Sequence, residues 1–298
     1  PTPDIKTGKA QVIVTEPTEF QEEMMEQFAE RAELIRAGEV EPSEDNLLKL
    51  THEAKLMAID VRLLDEDFPS GSNSKLETCS QKVFEIWKDS QENLSTQMIF
   101  SDSGTPKKDK FNVYDELKNQ LIAKGIPSEE IAFIHDAKTD QDKKDLYSKV
   151  RTGTVRVLLG STSKVGTGTN IQDKLLAVHH IDCPWRPSDI EQRNGRIVRQ
   201  GNENKEVEIF QYVTKGTFDS FLWQTQENKL LYINQIMNGN SLARSSADLS
   251  ETVLSAAEIK ALATSNPFIA EKMIFPSRLS VRFSNSALKK ADGIAKII

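Results

Sequence analysis

The densest cluster of side chains able to do chemistry is Pro184-Trp-Arg-Pro-Ser-Asp-Ile-Glu-Gln-Arg-Asn-Gly-Arg-Ile-Val-Arg-Gln-Gly201, with the core Gln192-x-x-Gly195-Arg196-x-x-Arg199. On a helix starting at Pro187, the residues Gln192, Arg196 and Arg199 fall at i, i+4 and i+7 and share one face. An amide and two guanidinium groups on one face suit a polyanion, and Gly195 beside them leaves room for close backbone approach. Arginine fits the task because its planar fork pairs phosphate oxygens bidentately and keeps its proton. A solvated basic helix face has the same composition. A second stretch, Leu159-Gly-Ser-Thr-Ser-Lys-Val-Gly-Thr-Gly-Thr-Asn170, follows an apolar run. Its small residues let backbone amides turn toward an anion or a sugar, and its hydroxyls add donors. An ordinary Gly/Thr turn reads the same way.

Holding such groups takes a rigid frame, and the sequence around them alternates between two periods. Helical spacing links Phe20, Met24, Phe28 and Leu34 over residues 18–37, and Leu47, Leu50, Leu56 and Ile59 over residues 44–63. Strand-length apolar runs follow at 96–100, 131–134, 155–159, 176–181 and 207–213. Between them lie helical stretches near 75–93, 110–124, 139–151 and 187–198. The alternation predicts crossover units, and so an α/β, mainly parallel sheet with helices on both faces. In such sheets chemistry gathers at the carboxyl ends of the strands. Both the 160–170 loop and the 184–201 segment fall at such ends.

Asp67-Phe-Pro-Ser-Gly-Ser-Asn-Ser74 is turn-rich and reads as a boundary. It divides the chain into a helical segment 1–73, an α/β lobe 74–215 and a helical extension 216–298. In the first segment Gln11-Val-Ile-Val14 is a lone apolar run in a polar setting. In the last, a helix over 217–237 precedes a polar stretch 238–252, a helix near 251–264 and a basic tail.

A net charge of −7 argues against a globally basic nucleic-acid binder. The charge is uneven: residues 1–70 carry 17 acidic and 7 basic side chains, which leaves the rest of the chain at +3. A DNA-tracking surface would therefore be local and lie in the later part. There is no apolar run of about 18 residues, so no membrane partner is expected. The start lacks a signal-peptide pattern. Cys79 and Cys183 match no metal-ligand spacing, and adjacent His179 and His180 would face opposite ways on a strand. The expectation is two buried, reduced thiols in a cytoplasmic protein and no metal ligands.

The pair of segments resembles motifs V and VI of superfamily 2 helicases, in their Snf2-like branch. Thr162 with Gly166-Thr-Gly-Thr-Asn170 is similar to that branch's Ser-Thr…Gly-x-Gly-x-Asn, and Trp185-Arg-Pro187 to its Trp-Asn-Pro. Gln192 to Gly201 resembles its Gln…Arg…His-Arg-x-Gly-Gln, with a Gly-Arg variant closer to the wider superfamily. Gln97-Met-Ile-Phe-Ser-Asp102 is similar to motif IV, Ile134-His-Asp-Ala137 to the next strand-end turn, and Ser74-Lys-Leu76 to the entry of the second lobe. These cover residues 74–240 in the family's order. A narrower resemblance is to very large proteins of phages, plasmids and conjugative elements that join a Snf2-like helicase to an N-6 adenine DNA methylase. It rests on Phe111-Asn-Val-Tyr-Asp115, Phe133-Ile-His-Asp136, Leu158-Leu-Gly-Ser-Thr162 and Gly216-Thr-Phe-Asp219 with Leu222-Trp-Gln-Thr225.

The resemblance implies a RecA-like second lobe, with ATP and Mg2+ held mainly by a first lobe that this sequence lacks. It makes Arg196 and Arg199 arginine-finger candidates with Gln192 a nearby contact. Gly166, Gly168, Thr169 and Asn170 would line the nucleotide side. Ser101, Thr162 and Lys164 would face the backbone of DNA, duplex more than RNA. No Gly-x-x-x-x-Gly-Lys-Ser/Thr occurs, so the chain alone is expected to be inactive as an ATPase. Asp65-Glu-Asp67 mimics a magnesium-binding acidic box but follows a helix rather than a strand, and Asn266-Pro-Phe268 mimics a methylase motif without its second proline. The other readings are an RNA helicase lobe and a non-catalytic docking module. The retained Gln192, Arg196 and Arg199 argue against the module.

Overall fold

Strands buried on both faces read as unbroken apolar runs rather than alternating ones. The computed structural model shows this for Thr96–Phe100 (β3) and Val157–Gly160 (β5), in which every residue is buried. The structure describes residues 2–165, 170–237 and Ile259, with side chains of the last long helix described as far as Leu230. Before β3 come Asp4–Ile5 (β1), Gln11–Thr15 (β2), Glu19–Ala37 (α1), Leu47–Ile59 (α2) and Lys75–Asp89 (α3). Val113–Lys124 (α4), Ile131–Phe133 (β4) and Asp140–Thr152 (α5) lie between β3 and β5. Thr162–Val165 (α6), Leu175–His180 (β6), Pro187–Asn194 (α7), Glu206–Thr214 (β7) and Phe218–Met237 (α8) complete the order.

The strands form one seven-stranded sheet in the order β1-β7-β6-β3-β5-β4, with β2 also on β7, and every pairing is parallel. Successive strand residues point to opposite faces, which sorts the core into two layers. Ile99, Leu159, Ala177, Phe210 and Tyr212 pack under α3 and α4 with Leu76, Val83, Leu117 and Leu121. Their neighbours Met98, Phe100, Leu158, Val178 and Ile209 pack on the other side with Val150 of α5 and Val165 of α6. This is the mainly parallel α/β arrangement that the alternation predicts, and it agrees with the RecA-like lobe that the resemblance implies. His179 and His180 do face opposite ways: the first stacks on Phe210 and Tyr212, the second on Phe100. Cys79 and Cys183 are buried and free. Helix ends follow local rules: α5 opens with a Thr139/Asp142 capping box and closes at Gly153 with φ 80°, where a Cβ would also meet Leu94.

Two expectations are corrected. The lone apolar run Gln11–Val14 is β2, paired along Phe210–Thr214, and Asp4–Ile5 pairs with the start of the same strand. The first 73 residues are thus not purely helical. The turn-rich 67–74 stretch does not cut them off, because β1 and β2 complete the lobe's sheet and α1 and α2 pack with α7, α8 and Val213. Pairing partners some 200 positions away leave no trace in a local pattern. The other correction is that α7 stops at Asn194, short of the expected 198. Gly195 is a weak helix former, and beyond it the Asn194 carbonyl accepts from the amides of Ile197 and Val198 while that of Ile197 accepts from Arg199. Arg196 and Arg199 therefore lie on turns, and the common helical face with Gln192 does not exist. The helix near 251–264, the tail and the Asn266-Pro-Phe268 segment lie outside the described residues, Ile259 apart. Among the described residues no helix is long and apolar enough to cross a membrane.

Candidate functional site

Three adjacent strands, β5, β3 and β6, end at one edge of the sheet, and each hands a polar residue to it: Thr162, Asp102 and Asp182. Arg193 of α7 gathers all three. Its NH2 lies 2.8 Å from Asp102 Oδ2 and 3.1 Å from Asp182 Oδ1, its Nε donates to Thr162 Oγ1 at 2.8 Å, and its NH1 donates to the Asp182 carbonyl at 2.9 Å. Thr162 in turn donates from its amide and hydroxyl to the two Asp102 oxygens, at 2.6 and 2.9 Å. Asp182 Oδ2 accepts from the amides of Asp102 and Ser103 at 3.0 and 2.9 Å. Arg193 is fully buried, a state an ion tolerates only when its donors are matched as these are.

Charge states follow from these contacts. Burial alone would raise the Asp182 carboxyl, but the Lys55 ammonium, the Arg193 guanidinium and the Asp102 amide outweigh it and hold the group at about 2. Burial lowers Arg193, and the two carboxylates more than restore it. His180 is pushed down to about 3 by burial and by the Arg193 charge, so the ring is neutral. Its Nδ1 accepts from Arg193 NH1 at 3.4 Å and its Nε2 donates to Asn194 Oδ1 at 2.9 Å, so the last residue of β6 grips α7.

The expected site residues divide into two groups. Thr162, Lys164 and Gln192 meet in an open cavity of about 590 Å³ at this edge, with Asp102, Thr105 and His135 also on its wall. His135 is lowered by burial and by the Lys164 charge, and its buried Nδ1 has no hydrogen-bond partner among the described residues. Ser101 is buried: its hydroxyl donates to the Ser103 carbonyl and its carbonyl accepts from Tyr114. It braces the β3 exit and presents no hydroxyl to the cavity.

Arg196 and Arg199 form the second group. Arg196 is 7 % exposed, and burial followed by the nearby Arg199 charge lowers its proton affinity, with Tyr147 of α5 opposing. Their turn is tied to the segment following Asn170: Gln172 Nε2 donates to the Gln200 carbonyl, and Asn202 Nδ2 donates to the carbonyls of Leu175 and Ile197. Asn170 is exposed, and Gly166, Gly168 and Thr169 lie outside the described residues. Gln192 thus stands with the Thr162–Lys164 group across the cavity.

Sequence reasoning missed Arg193, Asp182 and the partner role of Asp102. A signal for the first existed. Arg193 is three residues after buried Ile190, on the inward face of α7, where an arginine demands carboxylate partners.

A parallel sheet flanked by helices, with basic and hydroxyl groups at its carboxyl edge, is a RecA-like α/β fold. Residues 78–201 match the helicase conserved C-terminal domain. Over 90 residues the chain is 31% identical to the "Defense against restriction protein B" of Escherichia phage P1. Over 90 residues it is 37% identical to the "Uncharacterized ATP-dependent helicase YqhH" of Bacillus subtilis (strain 168). Each match covers 30% of this chain, but only 4% and 15% of those much longer relatives. The fold is shared with the C-terminal part of the Fun30 ATPase domain: TM-score 0.56, 14% identity, 91% of this chain and 98% of that one. It is shared too with the Sulfolobus solfataricus SWI2/SNF2 ATPase core, solved in complex with dsDNA: TM-score 0.54, 18% identity, 82% of this chain and 50% of that one.

Proposed function

We propose that this chain is the second motor lobe of an ATP-dependent, Snf2-like DNA translocase or helicase, working with a first RecA-like lobe of the same parent protein. The carrying observation is the second group of the site: Arg196 and Arg199 share the segment after α7 that Gln172 and Asn202 brace against the chain following Asn170. Two like charges brought together at a sheet edge suit an anion. ATP with Mg2+, bound mainly by the first lobe, would supply the γ-phosphoryl group. Arg196 and Arg199 then stabilise the charge that develops there, a contribution of roughly 10³–10⁵ in rate. By the family resemblance, Gly166, Gly168, Thr169 and Asn170 would face the nucleotide. Lys164 offers an ammonium to the DNA backbone, with Gln192 beside it, and the Thr162 hydroxyl, engaged by Asp102 and Arg193, holds the turn that presents it. Such contacts are sequence-independent and salt-sensitive.

The duplex bound to the Sulfolobus SWI2/SNF2 core supports double-stranded DNA as the partner. The phage P1 relative supports a parent encoded by a mobile element. The buried free thiols fit a reducing, cytoplasmic compartment. On this reading the isolated chain shows no DNA-stimulated ATP turnover. In the parent protein, Arg199→Ala lowers kcat by at least about 10³ while DNA affinity changes little. Steady-state turnover and a DNA titration of the same variant check this, and an unchanged kcat would remove the finger assignment.

A further inference from the structure

We infer that Lys55, on α2 and outside the matched helicase stretch, is a positioning residue for the arginine-bearing segment, acting through Asp182 and Trp185. The inference rests on the motor reading above only for its catalytic consequence.

Lysine is almost never fully buried unless paired, yet Lys55 is 5 % exposed on the inward face of α2 with Leu50, Ala54 and Met57. Its Nζ lies 3.9 Å from Asp182 Oδ2 and 4.9 Å from the centroid of the Trp185 ring. The first distance is too long for a hydrogen bond. Lys55 therefore acts as a point charge, which a flexible ammonium does and a planar guanidinium does less well. Over the Trp185 face the same charge makes a cation–π contact. Both partners belong to the short connector between β6 and α7.

That connector has few other means of setting the direction of α7. The N-cap residue Arg186 makes no side-chain capping bond. Contacts from outside the connector do the work instead. Lys75 of α3 donates to the Ile181 carbonyl, Gln226 of α8 donates to the Trp185 carbonyl at 2.9 Å, and Phe218 of α8 packs on the Trp185 ring. Lys55 is the contact from α2. It also completes a charge balance, because Lys55 and Arg193 face Asp182 and Asp102. Removing Lys55 leaves Arg193 as the one cation between Asp182, which is buried, and Asp102, which is partly open to solvent. Arg193, bonded to both carboxylates, is the group that meets this change, and it is tied to α7 and to Thr162. The turn bearing Arg196 and Arg199 begins within three residues of Arg193. A displacement near 1 Å at that turn is enough to cost about 100-fold in rate.

The test uses two readouts. In this chain, amide hydrogen exchange is compared for wild type, Lys55→Met and Lys55→Arg. Lys55→Met keeps the apolar stem and removes the charge. The expected result is exchange faster by about 10-fold or more over 181–201 in Lys55→Met, unchanged exchange in β3, α3 and α4, and partial recovery in Lys55→Arg, which restores the charge in a poorer shape. A uniform rise across the lobe, or none over 181–201, overturns the positioning role. In the two-lobed parent, Lys55→Met is expected to lower kcat by about 10–100-fold with KM for ATP changed less than about 3-fold. Adding Asp182→Asn to Lys55→Met should cost less than the product of the single effects. Multiplicative losses would show that Lys55 does not act through Asp182. Arg199→Ala runs in parallel. If it lowers kcat and Lys55→Met does not, the positioning claim fails for turnover. If neither lowers kcat, the finger reading fails and the exchange result alone decides the role of Lys55.

Discussion

The interior under α3 and α4 and the interior at the β6–α7 junction are built on different physics. Under α3 and α4 the sheet is covered by interdigitating aliphatic and aromatic groups such as Leu76, Val83, Leu117, Leu121 and Tyr114. At the junction the buried side chains include Lys55, Asp182 and Arg193, with the Lys75–Asp219 pair beside them. Apolar burial is non-directional and tolerates rearrangement of equal volume. A buried ion tolerates almost none, because each lost partner leaves a charge in a poor solvent. The first region therefore holds the lobe together. The second fixes where one short segment points, and that segment carries the basic groups of the site.

Three measurements would break or sharpen that contrast. The largest expected effect is from Arg193→Leu, which takes the guanidinium away from the buried Asp182 and should destabilise the lobe by about 3–5 kcal/mol in urea unfolding. A loss below about 1 kcal/mol would mean that the junction is not held by charge at all. Next is Leu117→Ala, a cavity in the apolar region, expected to cost about 2–5 kcal/mol toward the lower part of that range. Its hydrogen-exchange effect should spread over α3, α4 and the sheet, whereas that of Arg193→Leu should concentrate over 181–201.

The third measurement is on pH. His179 and His180 are held at about 3, mainly by burial, so below their ordinary 6.5 the unfolded chain binds protons that the folded one refuses. Stability should fall as pH drops from 6.5 toward 3, by about 1.4 kcal/mol per pH unit for each histidine. Asp182 acts in the same direction over a lower window: its ionised form contributes above 3.8, and that contribution is lost as pH falls to about 2. Urea midpoints between pH 7 and 5 check the histidine slope, and a flat profile would show that these rings are protonated in the fold.

The histidine pair also shows what could be read without coordinates. Adjacent residues on a strand point apart, so one of the two had to face each layer. The partners could not be read. His179 Nε2 donates to Gln97 Oε1 because the Gln97 amide nitrogen is already committed to the Val83 carbonyl, and Tyr212 then serves Nδ1. The strand runs of the lobe and the helical stretches near 75–93, 110–124 and 139–151 were legible for the same local reason. The site was legible in part. Gln192, Thr162 and Lys164 come together, although Gln192 had been grouped with the arginines. The helical-face argument for Arg196 and Arg199 failed because α7 ends four residues sooner than its periodicity suggests.

Taken alone, the order of residues determined what depends on near neighbours: the alternation that makes a parallel α/β lobe, the caps, and the presence of a phosphate-suited arginine segment after a strand. Only the tertiary structure decided that β1 and β2 add to the far edge of the sheet, and that Lys55 and Arg193 converge on Asp182. Strand pairing and the burial of an ion are both settled by groups that the chain brings together across well over a hundred residues, and no local pattern records which of the many possible partners will be there.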